Sequence, residues 1–126
     1  VSARILVADD DPASIDLLTS FLRSLGFQVE AASDGNRALE MGFSGDFQLV
    51  ILDVHMPMYD GVEVLKLLRR RHVLHPVKVM ALTGDDSPGV RDALQGGGID
   101  GCMTKPVDLR LLRKEVNRLL GVTAEC

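Results

Sequence analysis

The chain has 126 residues, 46% hydrophobic and 25% charged, a balance that suits one soluble domain with a core of its own. A net charge of −4 argues against a general nucleic-acid binder. The lack of a long apolar run, and of a basic-apolar-small leader, argues against a membrane span or secretory signal and favours the cytoplasm. The first residue is Val1, which suggests a chain processed or cut from something longer.

Arg4-Ile5-Leu6-Val7-Ala8 reads as a first strand that stops at Asp9, Asp10 and Asp11. Asp11 before Pro12 is a helix start, with a side-chain acceptor at the N-cap and proline at the first helical position. Ile15, Leu18, Leu22 and Leu25 give that helix one apolar face, and Gly26 ends it. Phe27 to Ala32 begins by alternating, which predicts a strand near a sheet edge. Asp34 caps a second helix carrying Ala38, Leu39 and Met41, bracketed by Gly42 and Gly45.

Leu49-Val50-Ile51-Leu52-Asp53 is a continuous apolar run ending in a carboxylate, as a strand buried on both faces would be. Pro57 and the turn pair Asp60-Gly61 follow. Val62, Leu65 and Leu68 mark a third helix that runs into Arg69-Arg70-Arg71-His72, read as a solvated helix end whose cations oppose the helix dipole. Val77 to Leu82 is a fourth strand, ending at Thr83-Gly84-Asp85-Asp86. Ser87-Pro88 starts a fourth helix with Val90, Ala93 and Leu94, and Gly96-Gly97-Gly98 predicts an unusually soft end for it. Cys102-Met103-Thr104 is a short fifth strand reaching Lys105-Pro106. Asp108 caps a last helix with Leu109, Leu112, Val116 and Leu119 on one face, closed by Gly121. Cys102 and Cys126 form no C-x-x-C pair, so the reading is a reduced compartment with Cys102 as a small core residue.

Strand and helix thus alternate five times, which predicts an α/β fold: one doubly wound, flavodoxin-like parallel sheet of order 2-1-3-4-5. The single domain spans 1–126, with a core of about 4–121 and 122–126 as a tail or the start of a linker. The switch point of this order lies between strands one and three, so Asp9, Asp10 and Asp53 meet there. Thr83 and Lys105 end the neighbouring strands. Crowded carboxylates either take up protons or recruit a cation, and a hard oxygen-ligated cation such as Mg2+ fits them best. His72 and His75 are predicted at the opposite edge. Magnesium beside a carboxylate, a lysine and a hydroxyl suggests phosphoryl transfer with Asp53 as nucleophile. No glycine-rich phosphate loop is present, so a pre-activated donor is expected rather than ATP.

These residues, in this order, resemble the receiver domain of two-component response regulators. The match runs from Ile5 to Gly121 through Ile5 to Pro12, Asp53-Val54-His55-Met56-Pro57 with Asp60-Gly61, Leu82-Thr83 and Lys105-Pro106. The resemblance implies that Asp53 is the phosphoryl acceptor, that Asp10 binds Mg2+ directly and Asp9 mostly through metal-bound water, and that the His55 backbone carbonyl completes the metal site. It implies that Thr83 is a switch hydroxyl, that Lys105 pairs with Asp53 and then with phosphate, and that the Lys105-Pro106 bond is cis. The donor it implies is a histidine kinase or histidine phosphotransfer domain. Partners, whether an output domain or a second copy, are expected on the fourth helix, last strand and last helix, with no direct contact to nucleic acid or membrane.

Cys102 departs from the pattern, for relatives often carry an aromatic switch residue there. Gly84 stands where alanine is common. The side chain of His55 points near the phosphoryl group in this pattern, which gives it a second way to act. Three alternatives stay open: a pseudo-receiver that binds without phosphorylation, the receiver segment of a hybrid histidine kinase, and a magnesium phosphatase with an aspartyl nucleophile. The last would want an acid two residues after the nucleophile, where this chain has His55.

Overall fold

Apolar runs that end in polar residues become the strands of one parallel sheet. The computed structural model describes residues 3–44, 46–56, 60–71, 77–84 and 88–121. The elements are β1 (Arg4–Ala8), α1 (Pro12–Ser24), β2 (Gln28–Ala32), α2 (Gly35–Ser44), β3 (Leu49–Asp53), α3 (Gly61–Arg71), β4 (Lys78–Thr83), α4 (Pro88–Gly96), β5 (Gly101–Thr104) and α5 (Leu109–Leu120). The strand order is β2-β1-β3-β4-β5, all parallel, as the alternation predicts.

Because successive strand residues point to opposite faces, the sheet builds two cores. Ile5, Val7, Leu49, Ile51, Met80 and Leu82 pack with Leu18 and Leu22 of α1 and Leu112, Val116 and Leu119 of α5. Leu6, Ala8, Val50, Leu52, Val79 and Ala81 pack with Ala38 and Leu39 of α2, Val64, Leu65 and Leu68 of α3, and Leu94 of α4. β3, flanked by β1 and β4, is buried at all five positions. The edge strands β2 and β5 alternate between covered and exposed positions. No described helix is long and apolar enough to cross a membrane.

Helix starts follow the capping chemistry. Asp11 accepts from the Ala13 N–H at 3.1 Å, Asp34 from the Arg37 N–H at 2.8 Å, and Asp108 from the Arg110 N–H at 2.9 Å. Asp60 and Glu63 form a reciprocal box, each side chain accepting from the other's backbone N–H.

Two expectations change. Cys102 is exposed. It lies on the edge strand and opens onto a groove of about 520 Å³ lined by Arg91, Leu94, Gln95, Ile99 and Leu111. Arg69 is not a solvated helix end: its guanidinium reaches the Gly98 and Val77 carbonyls and pairs with Asp100. Gly97 and Gly98 follow α4 as a turn. They form a hydrogen-bonded C-cap, with the Gly98 N–H donating to the Gln95 carbonyl and the Ile99 N–H to the Leu94 carbonyl, both at 3.1 Å. The expectations for Gly45, Pro57, His72, His75, Asp85, Asp86, Ser87, Cys126 and the 122–126 tail lie outside the described residues.

Candidate functional site

Register decides which polar residues meet. Ala8 pairs with Leu52 and Asp53 with Leu82, so Asp9, one residue past β1, lies level with Asp53 at the tip of β3. Thr83 pairs with Thr104 at the ends of β4 and β5, which brings Lys105 to the same edge. Its backbone N–H donates to the Thr83 carbonyl at 2.8 Å, and the Lys105-Pro106 bond is cis.

One carboxylate oxygen from each of Asp9, Asp10 and Asp53 lies within 4.8 Å of the other two. Asp9 is fully buried and Asp53 is 6% exposed, whereas Asp10 faces solvent. The Lys105 ammonium donates to Asp9 Oδ2 at 3.1 Å and stands 3.4 Å from Asp53 Oδ2. The lysine expected to pair with Asp53 therefore bridges two acids, and lies slightly nearer Asp9. The other Asp9 oxygen accepts the Asp11 N–H at 2.9 Å, which joins the site to the N-cap of α1. Thr83 is buried at the tip of β4, the strand beside β3. His55 is exposed, and its backbone N–H donates weakly to Asp53 Oδ1 at 3.4 Å.

Burial pushes the Asp53 carboxyl up to about 6, and the Asp9 charge adds to that; Lys105 and the His55 N–H pull the other way. Burial also opposes the Lys105 charge, but the hydrogen bond to Asp9 and the charges of Asp53 and Asp9 outweigh it and raise the ammonium above its ordinary value. Each ion thus helps to keep the other charged in a site that neither would favour alone.

Gly61 belongs to this site although its sequence context shows only a turn. A Cβ there would lie 2.7 Å from the Asp53 carbonyl oxygen and 2.8 Å from Val54 Cα. The Gly61 N–H donates to the Val54 carbonyl at 2.7 Å. Helix α3 therefore starts against the backbone that carries Asp53, and the absent side chain makes that approach possible. Only the Asp60-Gly61 pair soon after Asp53 hints at it in sequence.

Three carboxylates against one ammonium leave negative charge in excess, and all the donors are hard oxygens. This set suits Mg2+ and not a metal that wants thiolate or imidazole. The crevice also lies at the carboxyl ends of the strands, at the switch point between β1 and β3. A carboxylate, a bridging ammonium and a buried threonine at the neighbouring strand tip are groups that can serve transfer of a phosphoryl group.

Known proteins agree with this chemistry. Residues 5–117 match the model of the response regulator receiver domain. The chain is 36% identical over 120 residues, 90% of its length, to the peroxide stress-activated histidine kinase mak3 of Schizosaccharomyces pombe. It is 39% identical over 108 residues, 84% of its length, to the transcriptional regulatory protein TcrA of Mycobacterium tuberculosis. It spans 5% of the first and 41% of the second, so it corresponds to one part of longer relatives. Among solved structures, chemotaxis protein CheY4 of Vibrio cholerae superposes with a TM-score of 0.89 at 29% identity, covering 95% of this chain and 100% of that one. The receiver domain of the sensor histidine kinase PA1611 of Pseudomonas aeruginosa superposes at 0.88 and 25% identity, covering 96% of this chain and 99% of that one, and has a magnesium ion coordinated in its active site cleft. The match along nearly the whole sequence, the shared sheet order and the acidic crevice lead to one conclusion: the chain belongs to the response regulator receiver domain family.

Proposed function

We propose that Asp53 accepts a phosphoryl group from a phosphohistidine of a histidine kinase or histidine phosphotransfer domain, and that the change of charge at Asp53 alters partner binding. The reading rests on one observation above the others: the Asp53 carboxylate sits beside Asp9 and Asp10 with the Lys105 ammonium 3.4 Å away. In the transfer, an Asp53 carboxylate oxygen attacks phosphorus, the N–P bond of the donor breaks, and the donor imidazole keeps the electron pair and takes up a proton. Asp53 must be ionised to attack, which a carboxyl near 6 achieves at neutral pH. Lys105 holds Asp53 in place beforehand and pairs with a phosphoryl oxygen afterwards, and the Thr83 hydroxyl takes another.

Asp9, Asp10, Asp53 and the His55 backbone carbonyl would hold Mg2+, with Asp9 acting mostly through bound water. When bound, the cation offsets the charge that develops on the phosphoryl oxygens. The whole of 1–126 acts as the receiver, in the cytoplasm, with α4, β5 and α5 as the surface for a second copy or an output domain. Relatives that carry a receiver as part of a histidine kinase or of a transcriptional regulator make both parent architectures reasonable for this sequence.

The test is incubation with Mg2+ and acetyl phosphate, followed by intact mass. One phosphoryl adduct is expected, absent in Asp53→Asn and absent in chelator. Folded protein that binds Mg2+ yet gains no adduct would turn the reading to a pseudo-receiver, and steady release of phosphate from many esters would turn it to a phosphatase.

A further inference from the structure

Two overlapping turns run from the buried acid of the crevice to the first helix. Asp9 Oδ1 accepts the N–H of Asp11, two residues on, at 2.9 Å. Asp11 in turn accepts the N–H of Ala13, again two residues on, at 3.1 Å. Each is the turn that a short acid makes with the backbone that follows it. The second turn caps α1, and the Ser14 hydroxyl adds a bond to Asp11 Oδ2 at 3.2 Å. Asp11 therefore holds the helix with its side chain and the site with its backbone N–H.

The local sequence narrows what Asp11 can do. Pro12 follows it, and a residue before proline is kept out of the helical region; Asp11 lies at φ −94° and ψ 115°, extended. Pro12 is the first helical residue and has no N–H of its own to satisfy. Asp9 is fully buried, and its backbone N–H is fixed on the Ala32 carbonyl at 3.1 Å. Its two carboxylate oxygens are held from different sides, Oδ1 by the Asp11 N–H and Oδ2 by the Lys105 ammonium at 3.1 Å. A bond on each oxygen fixes the plane of the carboxylate. With Oδ1 released, Lys105 alone would set that plane, and Lys105 is also drawn to Asp53 Oδ2, 3.4 Å away. The Asp11 carboxylate itself is exposed and turned to α1; the acidic cluster among the described residues is Asp9, Asp10 and Asp53.

We infer that Asp11 is a positioning residue for the site: by capping α1 it aims its own N–H at Asp9, and so orients the carboxylate that lies beside Asp53 and Lys105. This role depends on the reading of Asp53 as phosphoryl acceptor and of the three acids as a Mg2+ site. A residue that looks like a plain helix cap thus has a second task, performed through Asp9 and not by touching the cation or the phosphoryl group. Asp11→Ala keeps a backbone N–H but removes the side chain that ties it to the first turn of α1. The N–H is then free to turn away, and Asp9 loses one of its two holds. The effect belongs to this helix start alone. Asp108 caps α5 by the same chemistry, but its side chain bonds only the Arg110 and Leu111 N–H groups among the described residues.

The experiment compares the whole chain as wild type, Asp11→Ala, Asp11→Asn and, as a control cap, Asp108→Ala, at a temperature where circular dichroism shows all four folded. Three quantities are read: amide hydrogen exchange at position 11 in chelator, the Mg2+ dissociation constant by calorimetry, and the rate of adduct formation with Mg2+ and acetyl phosphate by intact mass. Both alanine variants should lose similar stability. Asp11→Ala alone should speed exchange at position 11 at least fivefold, raise the Mg2+ dissociation constant at least threefold and slow the adduct at least threefold. Asp11→Asn, which keeps an oxygen for the Ala13 N–H, should stay within twofold of wild type on all three. Asp11→Gly, a milder loss of the cap, should shift the three in the same direction and serves if Asp11→Ala does not fold. Mg2+ affinity and rate within twofold of wild type in Asp11→Ala would reduce Asp11 to a plain cap. An equal loss in Asp108→Ala would make the effect one of general stability, and an equal loss in Asp11→Asn would assign it to the missing charge; either overturns the positioning role. An adduct missing even in wild type counts against the acceptor role of Asp53, while exchange at position 11 still decides whether the cap holds the N–H on Asp9.

Discussion

Above pH 6 the Asp53 carboxylate carries a charge that burial and the Asp9 charge both disfavour. Its ordinary value is 3.8, and in the folded protein it rises to about 6. Between these limits the folded chain binds more protons at Asp53 than the unfolded chain does. Stability therefore falls as pH rises through the window, and the full penalty stands above it, at most about 3 kcal/mol for a two-unit shift. In chelator, Asp53→Asn should be more stable than the wild type at pH 8 by about 1–3 kcal/mol, and the advantage should shrink toward pH 4, as read by urea unfolding at each pH. An advantage independent of pH would contradict this account. Gly61 permits a second prediction. Gly61→Ala forces a methyl group against the backbone of Asp53 and Val54, an overpacking that should cost about 1–3 kcal/mol. It should also slow adduct formation with acetyl phosphate at equal folded fraction; an unchanged rate would remove Gly61 from the site. The acids and Lys105 were legible because each stands where an apolar run stops. Gly61 was not, because its requirement comes from contact between the start of α3 and the tip of β3, which no spacing displays.

At the scale of elements, helix starts follow local chemistry and are mostly readable: Asp11, Asp34 and Asp108 cap as their sequences suggest, while Asp60, which reads only as a turn residue, caps α3 as well. Asp108 accepts from two N–H groups, those of Arg110 and Leu111. Asp108→Ala should lower stability by about 1 kcal/mol, measured as a shift in urea midpoint, and leave the yield of Asp53 adduct unchanged. Helix ends are less legible. Three glycines in a row lower helix propensity, and here Gly97 and Gly98 complete a C-cap to which Arg69 donates, while Arg69 meets Asp100 across 31 positions of sequence. The same arginine looked like a solvated charge because its helix ends in a run of arginines. Cys102 was misread for a related reason. An apolar-looking residue in a strand implies burial only where both sides of the strand are covered, and β5 is an edge.

For the whole molecule, the order of elements was enough to give the sheet, since alternating strands and helices with right-handed crossovers leave few arrangements. The sheet also acts as a wall. Ile5 and Leu6 are neighbours in sequence, yet they belong to different cores. Val116 is buried between α5 and the sheet, and Val64 between α3 and the opposite face. Val116→Ala and Val64→Ala should each cost about 2 kcal/mol, and the double variant should equal their sum within about 0.5 kcal/mol in urea unfolding. A larger coupling would mean that strain passes through β3. With additive faces, substitutions can accumulate in the layer of α1 and α5 without altering the packing that carries α4. The two sides of one small domain can then diverge at separate rates, one under demand for stability and the other under demand for a changed partner.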